Sequence, residues 1–405
     1  MKKIPASRWI VALALTGAMA LAGCNDSGED DDAAASPVIR GVTGIAGVGE
    51  EVHLGSAASA HPTIAMDALN QPHIYTDQER DNEIFEYHRI NGAWTAERVF
   101  AQGISHGKYK ASRMYLPHLA IDSRNRGWLS AKFGNKEWGS FLGQGFWVIN
   151  DMTNNPTEAL FKFVGINKGN GNIDIDPFEP DYGVLLATDG AWNKFDASGN
   201  LVGAETLNVG SSGEKIRFAI CPRENQVGVW HAAMSGWSRM DASYNNSVRN
   251  AAGLPPVTWA NFSKYPEMGE DYYHPGVGID WANPNVCYIS ADFDVGVVVN
   301  VWDGSNMRFP ANNLFVLDGN GSVGTERMGP QWASLPGGGA YVCWTRNSEN
   351  RIKMRRVNSD GSMEAELDVC EGNRASMCTD TAGNIHLVYN NRGTCYRTIQ
   401  LAVTY

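Results

Sequence analysis

The sequence predicts an all-β fold, a β-propeller of seven four-stranded blades closed by an N-terminal strand. Three observations carry that expectation. A phrase recurs along the chain: a short apolar strand, a tight turn rich in Asp, Asn, Gly or Pro, and a second apolar strand that often ends in an aromatic. The copies begin near residues 61, 117, 173, 216, 274, 331 and 375, a spacing of about 43 to 58 residues that suits a four-stranded blade with its loops. Helical periodicity is hard to find, whereas 44 glycines and 17 prolines punctuate segments rich in Val, Ile, Tyr, Phe and Trp, as strands and turns require.

The clearest copies are His61-Pro-Thr-Ile-Ala-Met-Asp67 leading to His73-Ile-Tyr75, Pro117-His-Leu-Ala-Ile-Asp122 leading to Trp128, and His274-Pro-Gly-Val-Gly-Ile-Asp280 leading to Val286-Cys-Tyr288. Weaker copies are Ile216–Cys221 with Val227–Trp230, Gln331–Leu335 with Tyr341–Trp344, and Ala375–Asp380 with Ile385–Tyr389. A seventh, degenerate copy falls between Ile173 and Thr188. Each phrase supplies two inner strands, and the text after it supplies an outer hairpin. Glu83–Ile90 turns at Asn91-Gly92 into Trp94–Phe100, and Arg351–Val357 turns at Ser359-Asp-Gly361 into Met363–Val369; Asn-Gly and Asp-Gly suit turns that need positive φ. After Tyr389 only Thr394–Tyr405 remains, so the strand Glu50–Leu54 is expected to complete the last blade and remove an exposed edge. Repeats too short to bury their own faces favour such a ring over tandem two-sheet sandwiches.

Residues 1–23 read as a leader, with basic Lys2, Lys3 and Arg8 before an apolar run from Trp9 to Ala22. Leu21-Ala-Gly-Cys24 resembles the bacterial lipoprotein cleavage box. That implies a lipidated Cys24, an acidic flexible tether over residues 24–39 and a single propeller domain over 40–405. Asn25 after the cysteine points to the outer membrane of a Gram-negative envelope, facing the periplasm or the exterior, with membrane contact only through the lipid. No later apolar run is long enough to span a bilayer. The net charge of −11 and the lack of a Lys/Arg cluster argue against a nucleic-acid partner, and a monomer is expected. Six cysteines remain: Cys221, Cys287, Cys343, Cys370, Cys378 and Cys395. An even number in an exported chain suggests disulfides, with Cys370–Cys378 or Cys378–Cys395 the favoured pairs. Buried thiols inside strands are the alternative.

In a propeller, the loops that lead into each first strand and leave each second strand gather on one face, where binding sites usually lie. The leading loops contribute His61, Lys108, Lys110, Arg113, Tyr115, His118, Tyr272, Tyr273, His274 and Arg374; the departing loops contribute Asp77, Glu79, Arg80, Lys132, Lys136, Trp138, His231, Trp237, Arg239 and Arg346. This is the basic and aromatic face of an otherwise acidic chain. His61, His118 and His274 all stand just before an inner strand, the place for a strand cap or for a reactive imidazole. Arg113 and Tyr115 beside His118, and Tyr272 and Tyr273 beside His274, favour chemistry there. His73 and His386, on second strands, read as structural. Trp138, Trp237 and Tyr244 among Gly, Ser and Asn suit stacking on sugar faces, or else they fill spaces between blades. Three histidines around a channel raise zinc, and Asp174, Asp176, Glu179 and Asp181 raise calcium. Neither set has a specific ligand spacing, so the sequence assigns no cofactor.

At His61-Pro-Thr-Ile-Ala-Met-Asp67 and Asp380-Thr-Ala-Gly-Asn-Ile-His-Leu-Val-Tyr389 the chain resembles the BNR-repeat, sialidase-like propellers, including bacterial ulvan lyases. The resemblance covers roughly residues 50 to 405. Full SxDxGxTW boxes and an early Arg-Ile-Pro are missing, and Asp122-Ser-Arg-Asn-Arg-Gly-Trp128 holds only a fragment of the box, which speaks against sialidase activity. The lyase-type relatives imply a histidine and a tyrosine moving protons at a uronate, with an arginine neutralising its carboxylate. The expected function is engagement of a glycan, an acidic polysaccharide above all, with β-elimination as the chemistry if the chain is an enzyme. For that reaction His118 or His274 would serve as base, Arg113 or Arg239 as cation, and Tyr115 or Tyr273 as acid. Trp138, His231, Trp237, Lys132, Arg346 and His61 would line the glycan site. The alternative is a non-catalytic surface propeller that captures a glycan or a protein partner.

Overall fold

A turn built on one aspartate makes four of the described repeats fold back on themselves. Asp67 Oδ1 accepts from the N–H groups of Leu69 and Gln71 at 2.9 and 2.7 Å. Asp122 does the same for Arg124 and Arg126, both at 2.9 Å, Asp280 for Ala282 and Asn283 at 2.8 and 2.9 Å, and Asp380 for Asn384 at 2.7 Å. Carboxylates that bind their own turn reverse the chain tightly, and the left-handed Asn70 and Asn125 (φ 63° and 62°) close the first two turns. The second oxygen of each aspartate crosses to the second strand. It meets His73 Nε2 at 3.5 Å, Trp128 Nε1 at 3.2 Å, the Tyr288 hydroxyl at 2.6 Å and His386 Nε2 at 3.2 Å. One residue therefore fixes the turn and anchors the strand that follows it.

The computed structural model describes residues 41–55, 61–77, 84–90, 92–100, 105–106, 109–110, 113–122, 124–134, 141–154, 156, 159–165, 173–175, 182–186, 191–206, 217–220, 229–233, 236–239, 261–262, 273–293, 296–304, 308, 315–318 and 329–404. An N-terminal arm carries β1 (Gly41–Val48) and β2 (Val52–Gly55). The next sheet is β3 (Thr63–Met66), β4 (Pro72–Asp77), β5 (Ile84–Ile90) and β6 (Ala93–Phe100). A short hairpin, β7 (Ser105–His106) and β8 (Tyr109–Lys110), precedes a sheet of β9 (Arg113–Ile121), β10 (Gly127–Gly134), β11 (Phe141–Ile149) and β12 (Ala159–Gly165). Then come β13 (Ile173–Ile175), β14 (Tyr182–Leu186), β15 (Ala191–Asp196) and β16 (Leu201–Thr206). They are followed by β17 (Arg217–Ile220), β18 (Val229–Ala233), β19 (Gly236–Arg239) and β20 (Asn261–Phe262). The fifth set is β21 (Tyr273–Ile279), β22 (Cys287–Phe293), β23 (Gly296–Trp302) and β24 (Phe315–Asp318), and the sixth is β25 (Gln331–Ser334), β26 (Ala340–Arg346), β27 (Arg351–Val357) and β28 (Leu367–Glu371). The last holds β29 (Asn373–Thr379), β30 (Ile385–Asn390) and β31 (Thr394–Thr404).

Each of these sets is an antiparallel sheet in chain order, and the last is completed by the arm, with β1 and β2 both on β31. First strands touch in succession: β3 and β9, β9 and β13, β13 and β17, β17 and β21, β21 and β25, β25 and β29, and β29 and β3. Side chains stitch several of these neighbours together. Leu119 N–H donates to Thr63 Oγ1 at 3.2 Å, Ile279 N–H to Ser334 Oγ at 3.3 Å, and Thr379 Oγ1 to the Ser334 carbonyl at 2.8 Å. The arrangement is all-β and propeller-like.

The core lies between facing sheets. Val286, Tyr288, Val297, Val299 and Val301 pack on Ala340, Val342 and Trp344 of the next sheet. Trp128, Phe146 and Val148 meet Ile173 and Phe195, while Ile64, Ile74 and Tyr87 meet Val388 and Tyr396. Long apolar runs on second strands are thereby explained, because both of their faces are covered.

The expected pairing of the N-terminal segment with Thr394–Tyr405 is present, and it extends further than the sequence suggested. Val52 stands opposite Tyr396 and His53 opposite Cys395, but β1 adds a second stretch from Gly41 opposite Thr404 to Val48 opposite Ile399. β1 was missed because glycines break its alternation. The outer hairpin of β5 and β6 forms as expected, with Gly92 at φ 81°; Asn91 lies outside the described residues. The second outer strand begins at Leu367 rather than Met363, which keeps only an isolated bridge to Val357.

The cysteine pairings are corrected. Cys287, Cys343, Cys370, Cys378 and Cys395 are free thiols; Cys221 lies outside the described residues. Cys370 and Cys395 pack in one cluster with Cys343, between the last two sheets. Cys378 packs in another, against Ile64 and Tyr87, so the last sheet separates it from both proposed partners. Burial pushes the Cys343 and Cys395 thiols up to about 12 and Cys370 up to about 11. At pH 8 these thiols are therefore expected to resist an aromatic disulfide reagent until the protein is unfolded, and to react fully in guanidinium. Rapid labelling of native protein would contradict this packing.

Candidate functional site

Counted back six residues from the turn aspartate, the repeats carry His61, Leu116, His274 and Arg374. At this register the inner strands leave the ladder. Leu116 and Pro117 together lie between the pairs Tyr115–Lys132 and His118–Ser130, His274 and Pro275 between Tyr273–Asp292 and Gly276–Ser290, and Arg374 and Ala375 between Asn373–Asn390 and Ser376–Val388. Each is a bulge of two residues against one, a device that re-aims side chains and recurs beside active sites. Leu116 and Arg374 also take positive φ, 56° and 54°. For a bulky, buried leucine that conformation is an outlier held by its surroundings.

The hold on Leu116 is visible. Its N–H donates to Asp77 Oδ2 at 3.2 Å. The same carboxylate, 2% exposed, takes the His61 backbone N–H on Oδ1 at 2.7 Å and meets the His61 ring at Nδ1, 2.8 Å from Oδ2. Asp77 thus ties the start of β3, the end of β4 and the start of β9 together. It fixes both the backbone and the ring of His61, and leaves Nε2 as the nitrogen for other contacts.

The structure places the other proposed residues as follows. His118 is half-buried inside β9, opposite Ser130, two positions further along its strand than His61 and His274 are along theirs. The three histidines therefore do not share one repeat position, because Leu116 occupies it on β9. Arg113 opens β9 opposite Gly134 and Tyr115 stands opposite Lys132, on the near side of the bulge, with His118 beyond it. Tyr273 and His274 open β21. His231 on β18 pairs with Ser238, and Trp237 and Arg239 on β19 pair with Ala232 and Trp230. Arg346 ends β26 with its guanidinium on Glu366 at 2.9 Å and Glu349 at 3.6 Å. Trp138 and Cys24 lie outside the described residues, as do Asp176, Glu179 and Asp181; Asp174 is in β13. Among the described residues no group of three His, Cys, Asp or Glu side chains is arranged to hold a metal.

Sequence reasoning singled out His61 but missed its pairing with Asp77, and it placed His61 and His274 at one repeat position but added His118 there instead of Leu116 and overlooked Arg374. The six-residue count back from each aspartate was the available signal. It also missed Lys353, 5% exposed, with its ammonium 3.0, 3.3 and 3.9 Å from Glu349, Asp368 and Glu366; alternate charges on β27 and β28 hinted at it.

No family model matches the chain, and no curated protein matches it in sequence. Among solved structures, a chain from the crystal structure of the mitotic checkpoint complex gives a TM-score of 0.51 over 95% of this chain and 98% of its own length, at 11% identity. A protein of unknown function from Dyadobacter fermentans DSM 18053 gives 0.49 over 88% of this chain and 100% of its own, at 10% identity. At 11% identity the first of these likenesses shows the fold alone, and a widely shared scaffold does not specify an activity.

Proposed function

We propose that this chain is an exported, lipid-anchored propeller of seven blades that engages an acidic polysaccharide on the face where first strands begin, with β-elimination as the reaction its residues suit. The unbroken succession of first-strand contacts supports the seven-bladed ring. The leader ending at Leu21-Ala-Gly-Cys24 supports the lipid anchor in the outer membrane. Phrases like those of the BNR-repeat, sialidase-like propellers support the glycan. One observation carries the site: bulges lift His274 and Arg374 from the ladder at the register where Asp77 orients His61.

β-Elimination needs a base for the proton beside the uronate carboxylate, a cation for the charge that develops, and an acid for the departing oxygen. His61 and His274 are the bases on this face, with His118 further along β9; Arg113 and Arg374 are the cations, and Tyr115 and Tyr273 the acids, while Arg239 ends β19 toward the far end of its sheet. The second reading, glycan capture without cleavage, draws support from the small exposure of the His61 side chain, 11%.

A panel of uronate-containing polysaccharides, followed by the absorbance of unsaturated product and by retention on an immobilised acidic polysaccharide, tests both. Loss of the working base through His61→Gln, His118→Ala or His274→Ala is expected to lower turnover roughly 10²- to 10⁴-fold with retention preserved. If the chain only binds, no product forms with any variant, and Trp237→Ala or Trp138→Ala weakens retention. Unchanged values for every folded variant would move the functional surface elsewhere.

A further inference from the structure

We infer that the seam between the β3–β6 sheet and the β9–β12 sheet is a proton-dependent latch, in which His73 carries an imidazolium between Asp67 and Glu86. The network is buried throughout: Asp67, His73, Glu86 and His88 are 6%, 2%, 0% and 5% exposed. Glu86 meets His73 Nδ1 at 3.0 Å through one oxygen and His88 Nδ1 at 2.5 Å through the other. Asp67 Oδ2 stands 3.5 Å from the remaining His73 nitrogen. Ionised carboxylates only accept hydrogen bonds, so a ring placed between two of them is satisfied at both nitrogens only when both carry hydrogen. The alternative aims a lone pair at a buried carboxylate.

The output lies on the neighbouring sheet. Asp67 Oδ2 also accepts from Thr153 Oγ1 at 2.7 Å, and Ala68 N–H donates to Asn125 Oδ1 at 3.0 Å. Asn125 in turn donates to Thr153 Oγ1 at 2.8 Å. Elsewhere in the repeat the seat of His73 is taken by Trp128 or Tyr288, which do not titrate near neutrality. His386 has only one carboxylate, with the Tyr396 hydroxyl on its other nitrogen at 2.6 Å. The groups that face His73 among the described residues are Asp67 from the turn, Glu86 and His88 from β5, and Thr153 across the seam, with Asp151 behind Asn125 and Thr95 behind His88. Burial opposes the charge on His73, but its bonds to Asp67 and Glu86 outweigh burial and raise its pKa above the ordinary value. The stabilisation is therefore complete below about pH 6.5, the ordinary histidine value, and is lost as pH rises through the higher folded-state value.

Amide hydrogen exchange on the full chain from pH 6 to 9, corrected for intrinsic rates, reads the latch at Leu69, Gln71, Thr153 and Asn154. Protection there is expected to fall about tenfold for each unit by which the His73 pKa exceeds its ordinary value, while Ala282 and Asn283 on the Asp280 turn stay constant. His73→Gln removes the pH response. Thr153→Val, which takes one donor from Asp67 but keeps Asp67, His73, Glu86 and His88, removes it at Thr153 and Asn154 alone and serves if His73→Gln does not fold. A neutral His73 ring at pH 6 by ¹⁵N imidazole shifts, or wild-type protection that changes no more at Leu69 than at Ala282, overturns the inference.

Discussion

Removing residues 41–55 is expected to abolish the folded monomer, whereas cutting the chain before residue 40 leaves its melting temperature within a few degrees. Among the described residues no other segment pairs with the outer edge of β31. Val42 is buried with Ile45 against the β25–β28 and β29–β31 sheets, and Val52 and Leu54 pack on the other side against Ile64 and Tyr396. Full burial of such a side chain is worth roughly 1.5–3 kcal/mol, so even half of that for four residues approaches about 5 kcal/mol, the lower end of total domain stability. Polar contacts add to it. Gly49 N–H donates to the Thr398 carbonyl at 2.8 Å, and Arg397 returns a bond to the Gly49 carbonyl at 2.9 Å. Tyr389 donates to Glu51, and Arg356 to the Val42 carbonyl. Circular-dichroism melts of chains starting at residues 1, 40 and 56 make the comparison. A chain starting at 56 that melts like the full one would mean that β31 needs no partner; a drop of more than a few degrees on starting at 40 would give the acidic segment a role in folding.

Trp128→Ala carries the second large effect, about 3–5 kcal/mol. The indole has no exposed surface, stacks on Phe146 with centroids 6.2 Å apart and donates to Asp122 Oδ2 at 3.2 Å. Truncation leaves a cavity among Phe146, Val148, Ile173 and Phe195 and removes one donor from a buried carboxylate. Trp128→Tyr should cost much less, since Tyr288 fills the equivalent seat with its hydroxyl 2.6 Å from Asp280. Urea unfolding should show the alanine midpoint far below wild type, at an unchanged slope, with the tyrosine variant between them. An alanine variant within 1 kcal/mol of wild type would show that the space between these sheets collapses freely.

The repeat was legible in the sequence because one residue type does two jobs in it. Asp67, Asp122 and Asp380 each stand six residues before a second-strand His or Trp, and Asp280 stands eight before Tyr288, and that pattern survives where the apolar letters drift. His73 and His386, read as structural from their second-strand positions, are buried against Asp67 and Asp380. The candidate site was less legible. His61 and Asp77 are 16 residues apart, and their pairing depends on two loops meeting at one strand end, which no local pattern records. The bulges at Leu116, His274 and Arg374 were equally hidden, since a two-against-one register is a relation between strands. Cysteine spacing misled because it counts residues along the chain. It does not say on which side of a sheet each thiol lies, and Cys378 faces away from Cys370 and Cys395.

The arm also sets a clock. Thr43 Oγ1 donates to the Ala402 carbonyl across 359 residues of chain, so the final sheet waits for the last strand to be synthesised. At about 5–20 residues per second, that is a delay of roughly 20 to 70 seconds. Through it, Val42, Ile45, Val52 and Leu54 have no sheet to join. A chain built this way exposes an apolar, unpaired edge for the whole of its synthesis, and its nascent form is where aggregation or capture by a holding chaperone would act.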